Sequence, residues 1–85
     1  MSGALPSAIV IAMADIISEL LDLRAMLDNG EARQIRERAG LTSTQLARRL
    51  DVSPAAVTRW EQGIRFPRGA NARRYARLLQ RLASA

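Results

Sequence analysis

The chain has 85 residues, enough for one small domain with a modest core. It contains no Cys and no His, which excludes disulfides, thiol nucleophiles, imidazole bases, Ser-His-Asp triads and nearly every transition-metal site. The formal net charge is +5, and all 13 basic residues are Arg.

The charge is divided unevenly along the chain. Residues 1–30 carry one Arg against four acidic residues, a net charge of −3, whereas residues 31–85 carry twelve Arg against four acidic residues, a net charge of +8. The basic part predicts a polyanionic partner. The exclusive use of Arg is typical of GC-rich coding, although guanidinium groups also suit bidentate contacts to phosphate and guanine.

Residues 8–27 are rich in apolar side chains and predict a long helix, with Ser7 as its N-cap and residues 28–30, Asp-Asn-Gly, as its C-cap and turn. Charged residues interrupt this segment before the roughly 20 apolar residues that a membrane crossing needs. Its polar face is acidic and would be repelled by anionic lipid. No basic residue precedes it, so a signal peptide is not expected.

Apolar residues in this segment recur at intervals of 4, 3, 4, 3 and 4, which is a heptad seam widened by its neighbours. One interpretation is a core helix folded back on its own domain. The other is a dimerisation helix, which we favour because the chain after residue 31 has few large apolar side chains with which to cover it. The predicted dimer interface comprises Ile9, Met13, Ile16, Ile17, Leu20, Leu23 and Leu27.

Four shorter helices are predicted after residue 30. The first spans residues 31–39, with Gly40 as a left-handed C-cap. The second lies within residues 41–50, and Thr42 and Gln45 form a capping box at its start. The third spans residues 54–62, with Ser53 as N-cap and Pro54 at the first helical position. The last spans about residues 70–83, and its apolar positions are typical of a core helix.

The helix over residues 54–62 has two different sides. Val57, Trp60 and Glu61 fall on one side at helical spacing. The other side carries small or hydrogen-bonding residues and one Arg, a surface that suits the major groove of B-DNA.

The segment resembles the lambda-repressor/Cro-like helix-turn-helix family, also called the xenobiotic-response-element type, over about residues 31–82. Helix caps, core positions and the helix stop all occur at the family spacing. The residues that carry the resemblance are Gly40, Leu41, Thr42, Gln45, Leu46, Ala47, Leu50, Val52, Ser53, Val57, Arg59, Glu61 and Gly63.

The resemblance implies an all-α fold, with a compact helix-turn-helix DNA-binding domain over residues 31–85 preceded by the amphipathic helix within residues 1–30. It implies that residues 54–62 form the recognition helix, and that an ion pair between Arg36 and Glu61 ties the first helix of the domain to it. The residues expected to read bases are Arg59, Thr58, Ala55, Pro54 and Gln62. Those expected to hold phosphates are Thr42, Ser43, Thr44, Gln45, Arg65 and Arg68.

Three departures from the family pattern affect these expectations. Asp51 stands where Gly is common, a substitution that is tolerable because Asp adopts left-handed backbone more readily than most residues. Trp60 replaces a smaller aliphatic residue and is expected to reach the N-terminal helix. Residues 54–56, Pro-Ala-Ala, replace long polar side chains, so base recognition should depend chiefly on Arg59 and Thr58, with DNA shape and phosphate contacts supplying the rest.

These features predict a sequence-specific transcription regulator, a repressor of phage or bacterial type that binds a two-fold operator as a homodimer in the cytoplasm, at the nucleoid. Neither a cofactor, a metal nor a catalytic activity is expected. An alternative is an antitoxin-like interaction protein whose N-terminal helix binds a different protein and whose DNA binding is autoregulatory. A DNA-cleaving accessory enzyme is disfavoured, because metal-assisted hydrolysis needs convergent carboxylates and the acidic residues after residue 30 are scattered.

Overall fold

The computed structural model describes Gly3 and residues 5–85, which form five α-helices and no strand. The helices are α1 (Ser7–Asp28), α2 (Glu31–Arg38), α3 (Ser43–Leu50), α4 (Pro54–Glu61) and α5 (Gly69–Ser84). The predicted all-α fold is confirmed, and each helix begins and ends within two residues of the expected position. Within the described part of the chain, no helix is long and apolar enough to cross a bilayer.

The start of α1 differs from the expectation. Ser7 is the first helical residue, and Pro6 takes the N-cap position in an extended conformation with φ −54° and ψ 144°. The carbonyl of Pro6 accepts hydrogen bonds from the backbone N–H groups of Ile9 and Val10 at 3.0 and 3.1 Å. The helix therefore starts one residue earlier than predicted because a backbone carbonyl, and no serine hydroxyl, opens it.

The caps of α3 and α4 are those predicted. Thr42 Oγ1 accepts a hydrogen bond from the Gln45 N–H at 3.1 Å, and Gln45 Oε1 accepts one from the Thr42 N–H at 2.8 Å. Ser53 Oγ accepts from the N–H of Ala56 at 3.2 Å. Between the two helices Asp51 adopts φ 57°, the left-handed conformation expected where Gly is common. These local devices set the tight turn that joins α3 to α4.

The core lies between α5 and the helices packed around it. Tyr75 is its largest fully buried side chain, and its ring centroid lies 5.3 Å from that of Trp60. Trp60 also lines a cleft of about 240 Å³ together with Leu27 of α1. The buried hydrophobic residues are Leu23, Leu27, Ala32, Leu46, Ala47, Leu50, Val57, Trp60, Ala72, Tyr75, Ala76, Leu78 and Leu79.

Helix α1 joins this core only through its C-terminal half. Leu20 and Met26 pack against the buried cluster, whereas every residue from Ser7 to Asp15 is exposed. Two polar contacts hold the C-terminal half in place. Glu19 Oε2 lies 3.6 Å from Arg77 Nε on α5, and the Arg24 guanidinium lies 4.3 Å from the centre of the Phe66 ring.

A nearly buried ion pair connects α2 to α4. Arg36 Nε donates to Glu61 Oε2 at 2.6 Å and Arg36 Nη2 donates to Glu61 Oε1 at 2.9 Å, which is a bidentate arrangement. Arg36 Nη1 donates a third hydrogen bond to the Leu41 carbonyl at 2.9 Å. The hydrogen bond with Glu61 raises the pKa of Arg36 above its ordinary value. This guanidinium thus joins α2, the segment before α3, and α4.

We expect Arg36→Ala and Glu61→Ala each to lower the free energy of unfolding by about 3–5 kcal/mol, because each leaves an unpaired charge in a nearly buried site. The side chains are only 10 % and 8 % exposed, so solvent screening is weak. Replacing both by apolar residues, Arg36→Met with Glu61→Leu, should recover most of the loss. Denaturant titrations of the three variants measure this.

The exposed pair Arg33–Glu37 is the matched control, with side chains 64 % and 51 % exposed. Arg33→Ala should change the free energy of unfolding by about 0.5 kcal/mol or less. Small and additive losses from Arg36→Ala and Glu61→Ala, similar to that control, would contradict the assigned role of the pair.

Tyr75 makes stability depend on pH in the alkaline range. Burial raises the pKa of its phenol well above the ordinary value of 10.0, and its hydroxyl has no hydrogen-bond partner among the described residues. The chain has no Lys, no Cys and a single Tyr, so no other side chain titrates in this range below Arg. The unfolded chain therefore loses the phenol proton at a lower pH than the folded chain does.

We expect the free energy of unfolding to be constant just below pH 10 and to fall above it by at most about 1.4 kcal/mol per pH unit, because deprotonation favours the unfolded state. Tyr75→Phe should remove this dependence and, because no hydrogen bond is lost, should cost little at neutral pH. Denaturant titrations of both proteins from pH 8 to about pH 11.5 test the expectation. Parallel pH curves for the two proteins would refute it.

Candidate nucleic-acid interface

Packing between α3 and α4 fixes which side of α4 faces outward. Leu46, Ala47 and Leu50 are buried on α3, and Val57 and Trp60 are buried on α4. Because the buried positions of α4 lie three residues apart, the helix presents its opposite side to solvent along its whole length.

All five residues predicted to read bases are exposed on α4 or at its end: Pro54, Ala55, Thr58, Arg59 and Gln62. Thr58 Oγ1 donates a hydrogen bond to the Pro54 carbonyl at 3.1 Å, which leaves its lone pairs free to accept. No carboxylate among the described residues lies within 4.0 Å of the Arg59 guanidinium. The Arg59 side chain is therefore available to an external acceptor.

The predicted phosphate-binding residues at the start of α3 lie around its free N-terminus. Thr42, Thr44 and Gln45 are exposed, and Ser43 is partly exposed. Since the capping box consumes the N–H groups of Thr42 and Gln45, the backbone donors left for a phosphate are those of Ser43 and Thr44.

A small cleft brings residues from three helices together at this point. Its volume is about 260 Å³, and Ser43 of α3 lines it with Thr58 of α4 and the adjacent Gln62. Arg33 of α2 lines the same cleft, although it was not among the predicted site residues. Its position one turn before Arg36, whose pairing with Glu61 was predicted, is the signal that could have identified it.

The loop after α4 forms a second basic cleft. Arg65 and Arg68, both predicted to contact phosphates, are exposed and line a space of about 490 Å³. Arg24 of α1 lines the same space while its guanidinium lies over Phe66. Arg24 was also absent from the predicted site. It is the single basic residue of the first thirty positions, and nothing in its local sequence pointed to this loop.

The acidic residues near the cleft at Ser43 are paired with arginines of the same chain, whereas Asp28, near the loop, has no such partner among the described residues. Glu61 is bound by Arg36, and Glu37 lies 3.3 Å from Arg33. Arg59, Arg65 and Arg68 are left without such partners in the described part of the molecule. The surface around α4 is therefore positively charged, as binding to a phosphate backbone requires. Among the described residues no group of three or more acidic side chains could hold a metal ion.

The predicted dimer residues of α1 fall into two groups. Ile9, Met13 and Ile17 are 46 %, 47 % and 54 % exposed. Ile16 and Leu20 are partly exposed, and Leu23 and Leu27 are buried in the core of their own chain. The C-terminal part of the predicted seam is therefore covered within one chain, and its N-terminal part is open.

Comparison with known proteins agrees with the arrangement of α2 to α5. Residues 33–82 match the family model described as Helix-turn-helix, which covers more than half of the chain. The chain matches no curated protein and no solved structure. The matched segment contains the capped turn between α3 and α4, the exposed side of α4 and the basic loop. The chain belongs to the helix-turn-helix family of Cro/C1 type, and it is a DNA-binding transcription regulator.

Proposed function

We propose that this regulator is a repressor of phage or bacterial type that binds a two-fold symmetric operator as a homodimer. The observation that carries the proposal is the outward side of α4, where Arg59 and Thr58 are exposed beside the free N-terminus of α3. A helix presented in this way fits the major groove. The start of α3 and the loop after α4 lie beside it and fit the adjacent phosphates. The repressor would act by occupying its operator.

Base recognition is assigned mainly to Arg59. The first turn of α4 carries Pro54 and Ala55, which make apolar contacts only, so they suit a thymine methyl group and little else. Arg59 lies one turn further along, and two nitrogens of its guanidinium group can approach the O6 and N7 atoms of guanine. Thr58 and Gln62 flank it.

Phosphate binding is assigned to two groups that bracket α4. The N–H groups of Ser43 and Thr44 form one anchor, with Arg33 beside it in the same cleft. Arg65 and Arg68 form the other anchor in the loop. Contacts of this kind fix the position of the domain on the duplex without reading its sequence.

The homodimer is supported by the exposed apolar residues of α1. Of the eight large hydrophobic residues that are exposed in the described part of the chain, six lie in this helix. Such a group of exposed apolar side chains on one helix is typical of an interaction surface.

Selection of bound DNA from a random library tests the whole proposal, since a two-fold site with half-sites about 34 Å apart is expected. A single asymmetric half-site would contradict it.

We expect Arg59→Ala to weaken binding to the selected operator by about 1–3 kcal/mol and to affect scrambled duplex much less, because a bidentate base contact is lost. Arg65→Ala or Arg68→Ala should weaken binding to both duplexes alike. Each should also reduce the slope of the logarithm of the binding constant against the logarithm of the salt concentration by about one unit, because one fewer counterion is released. Affinity titrations at several salt concentrations measure both quantities.

Arg48→Ala is the matched control, since Arg48 is exposed near the C-terminal end of α3, away from its capped start. It should leave operator preference unchanged. If Arg59→Ala lowers both affinities equally, Arg59 holds a phosphate, and base recognition must be reassigned to Thr58, Gln62 or DNA shape.

We expect the intact chain to sediment as a dimer and the double variant Ile17→Asp with Leu21→Asp to sediment as a monomer with reduced operator affinity. Residues 17 and 21 are 54 % and 62 % exposed, so the substitutions should not disturb the fold of the single chain. The melting temperature of the variant should fall only by the amount that dimerisation adds to that of the wild type. Ile64→Asp, at a position 66 % exposed outside α1, is the control and should remain dimeric. A wild-type chain that is monomeric at all concentrations would refute the homodimer.

A further inference from the structure

The exposed side of α1 carries a second apolar stripe, distinct from the seam that continues into the core. Its members are Val10, Ala14, Ile17 and Leu21, spaced 4, 3 and 4 residues apart. Val10, Ile17 and Leu21 are 49 %, 54 % and 62 % exposed, and Ala14 is exposed as well. We call this set the outer stripe. Its spacing is that of a coiled-coil seam, and no residue of its own domain covers it.

The outer stripe is uncharged along its length. Asp15, Glu19 and Asp22 lie on another side of the helix, where Glu19 approaches Arg77 of α5, and Asp28 lies at the C-terminal end of α1, beyond the outer stripe. An uncharged apolar stripe lacks the groups that would select a charged partner and is instead complementary to a stripe like itself. A second copy of the chain is the occupant that this chemistry fits.

The exposed apolar area of α1 is that of a small interface. Its six exposed large apolar residues are between 46 % and 63 % exposed. They offer roughly 600 Å² per chain, about half of it on the outer stripe and the rest on Ile9, Ile11 and Met13 beside it, compared with about 800 Å² per partner in a standard interface.

We propose that the outer stripes of two copies pair in an antiparallel arrangement, with Val10 against Leu21 of the other copy and Ala14 against Ile17. The inference rests on the proposed homodimer and specifies its geometry. The two-fold axis then passes between Ala14 and Ile17, and the four positions form four contact layers.

Side-chain volume favours this direction. In the antiparallel register the smallest residue of the stripe, Ala14, faces the β-branched Ile17, so small and large side chains alternate across the contact. In a parallel pair Ala14 would face Ala14 and leave a gap, while Leu21 would face Leu21. Interfaces pack to the density of protein interiors, so the antiparallel register loses fewer contacts.

Charge favours the same direction. Residues 31–85 of each copy carry a net charge of +8. A parallel pair places both basic domains at the same end and brings the two Arg24 side chains to the same level. An antiparallel pair places the domains at opposite ends, where their repulsion is weaker and more fully screened.

The absence of Cys from the natural sequence allows a direct test by disulfide formation. In the proposed register, position 10 lies against position 21 of the other copy, whereas the two copies of position 10 are separated by 11 residues of helix, about 16 Å. A disulfide needs Cα atoms within about 7 Å. Val10→Cys and Leu21→Cys chains are oxidised separately and as an equimolar mixture, and products are resolved on a non-reducing gel.

A covalent dimer that forms in the mixture, and in neither chain alone, is the expected result. Ala12→Cys, at an exposed position on another side of α1, should not cross-link with Leu21→Cys and serves as the control. Thermal melting checks that each variant is folded.

Three results would overturn the inference, and they differ in what they leave standing. Self-linking of Val10→Cys and of Leu21→Cys would show a parallel pair and leave the homodimer intact. A dimer by sedimentation with no cross-link in any combination would place the contact elsewhere. A chain that sediments as a monomer would refute both the pairing and the proposed homodimer. Both would also be refuted if the outer stripe were found to bind only a different protein.

Discussion

The bidentate contact between Arg36 and Glu61 is the interaction on which the rest of the domain depends. One guanidinium binds the carboxylate of α4 through two nitrogens and the Leu41 carbonyl before α3 through a third. This side chain from α2 therefore adds a polar connection between the recognition helix and the start of α3 to the capped turn and the apolar packing that join α3 to α4. Because base reading and phosphate binding are proposed for those two elements, their relative position decides whether both can engage one duplex.

The same pair also shapes the electrostatics of the surface. A carboxylate on the recognition helix would repel DNA if it were free, but Glu61 faces inward and is neutralised by Arg36. Glu37 is similarly close to Arg33. Among the acids of α1, Glu19 is near Arg77, and Asp28 lines a cleft with Trp60 and Arg65. Pairing within the chain neutralises Glu61 and Glu37, while the arginines of α4 and of the loop that follows it stay unpaired. A chain with eight acidic residues can therefore present a basic surface at α4.

Local sequence signals predicted the fold after residue 30, because each helix end there depends on residues adjacent in sequence. Thr42 with Gln45, Ser53 with Pro54, and the left-handed Asp51 are such devices. The side assigned to α4 also followed from spacing alone. Arg24 and Arg33 could not be placed as easily, since their positions beside the loop and beside Ser43 depend on packing between distant elements. The seam of α1 was ambiguous for a related reason: periodicity shows that a stripe is apolar but not what covers it.

The division of α1 into a buried and an exposed half links the core to the proposed assembly. Leu23 and Leu27 are held inside the domain, and Arg24 and Glu19 hold the same segment from outside. A continuous helix transmits this anchoring to its exposed half, because a helix without Pro or Gly in its interior bends little. In the proposed dimer, the angle and register of the α1 pair would therefore set the separation of the two recognition helices. The spacing of operator half-sites would then be encoded in an apolar stripe that never touches DNA.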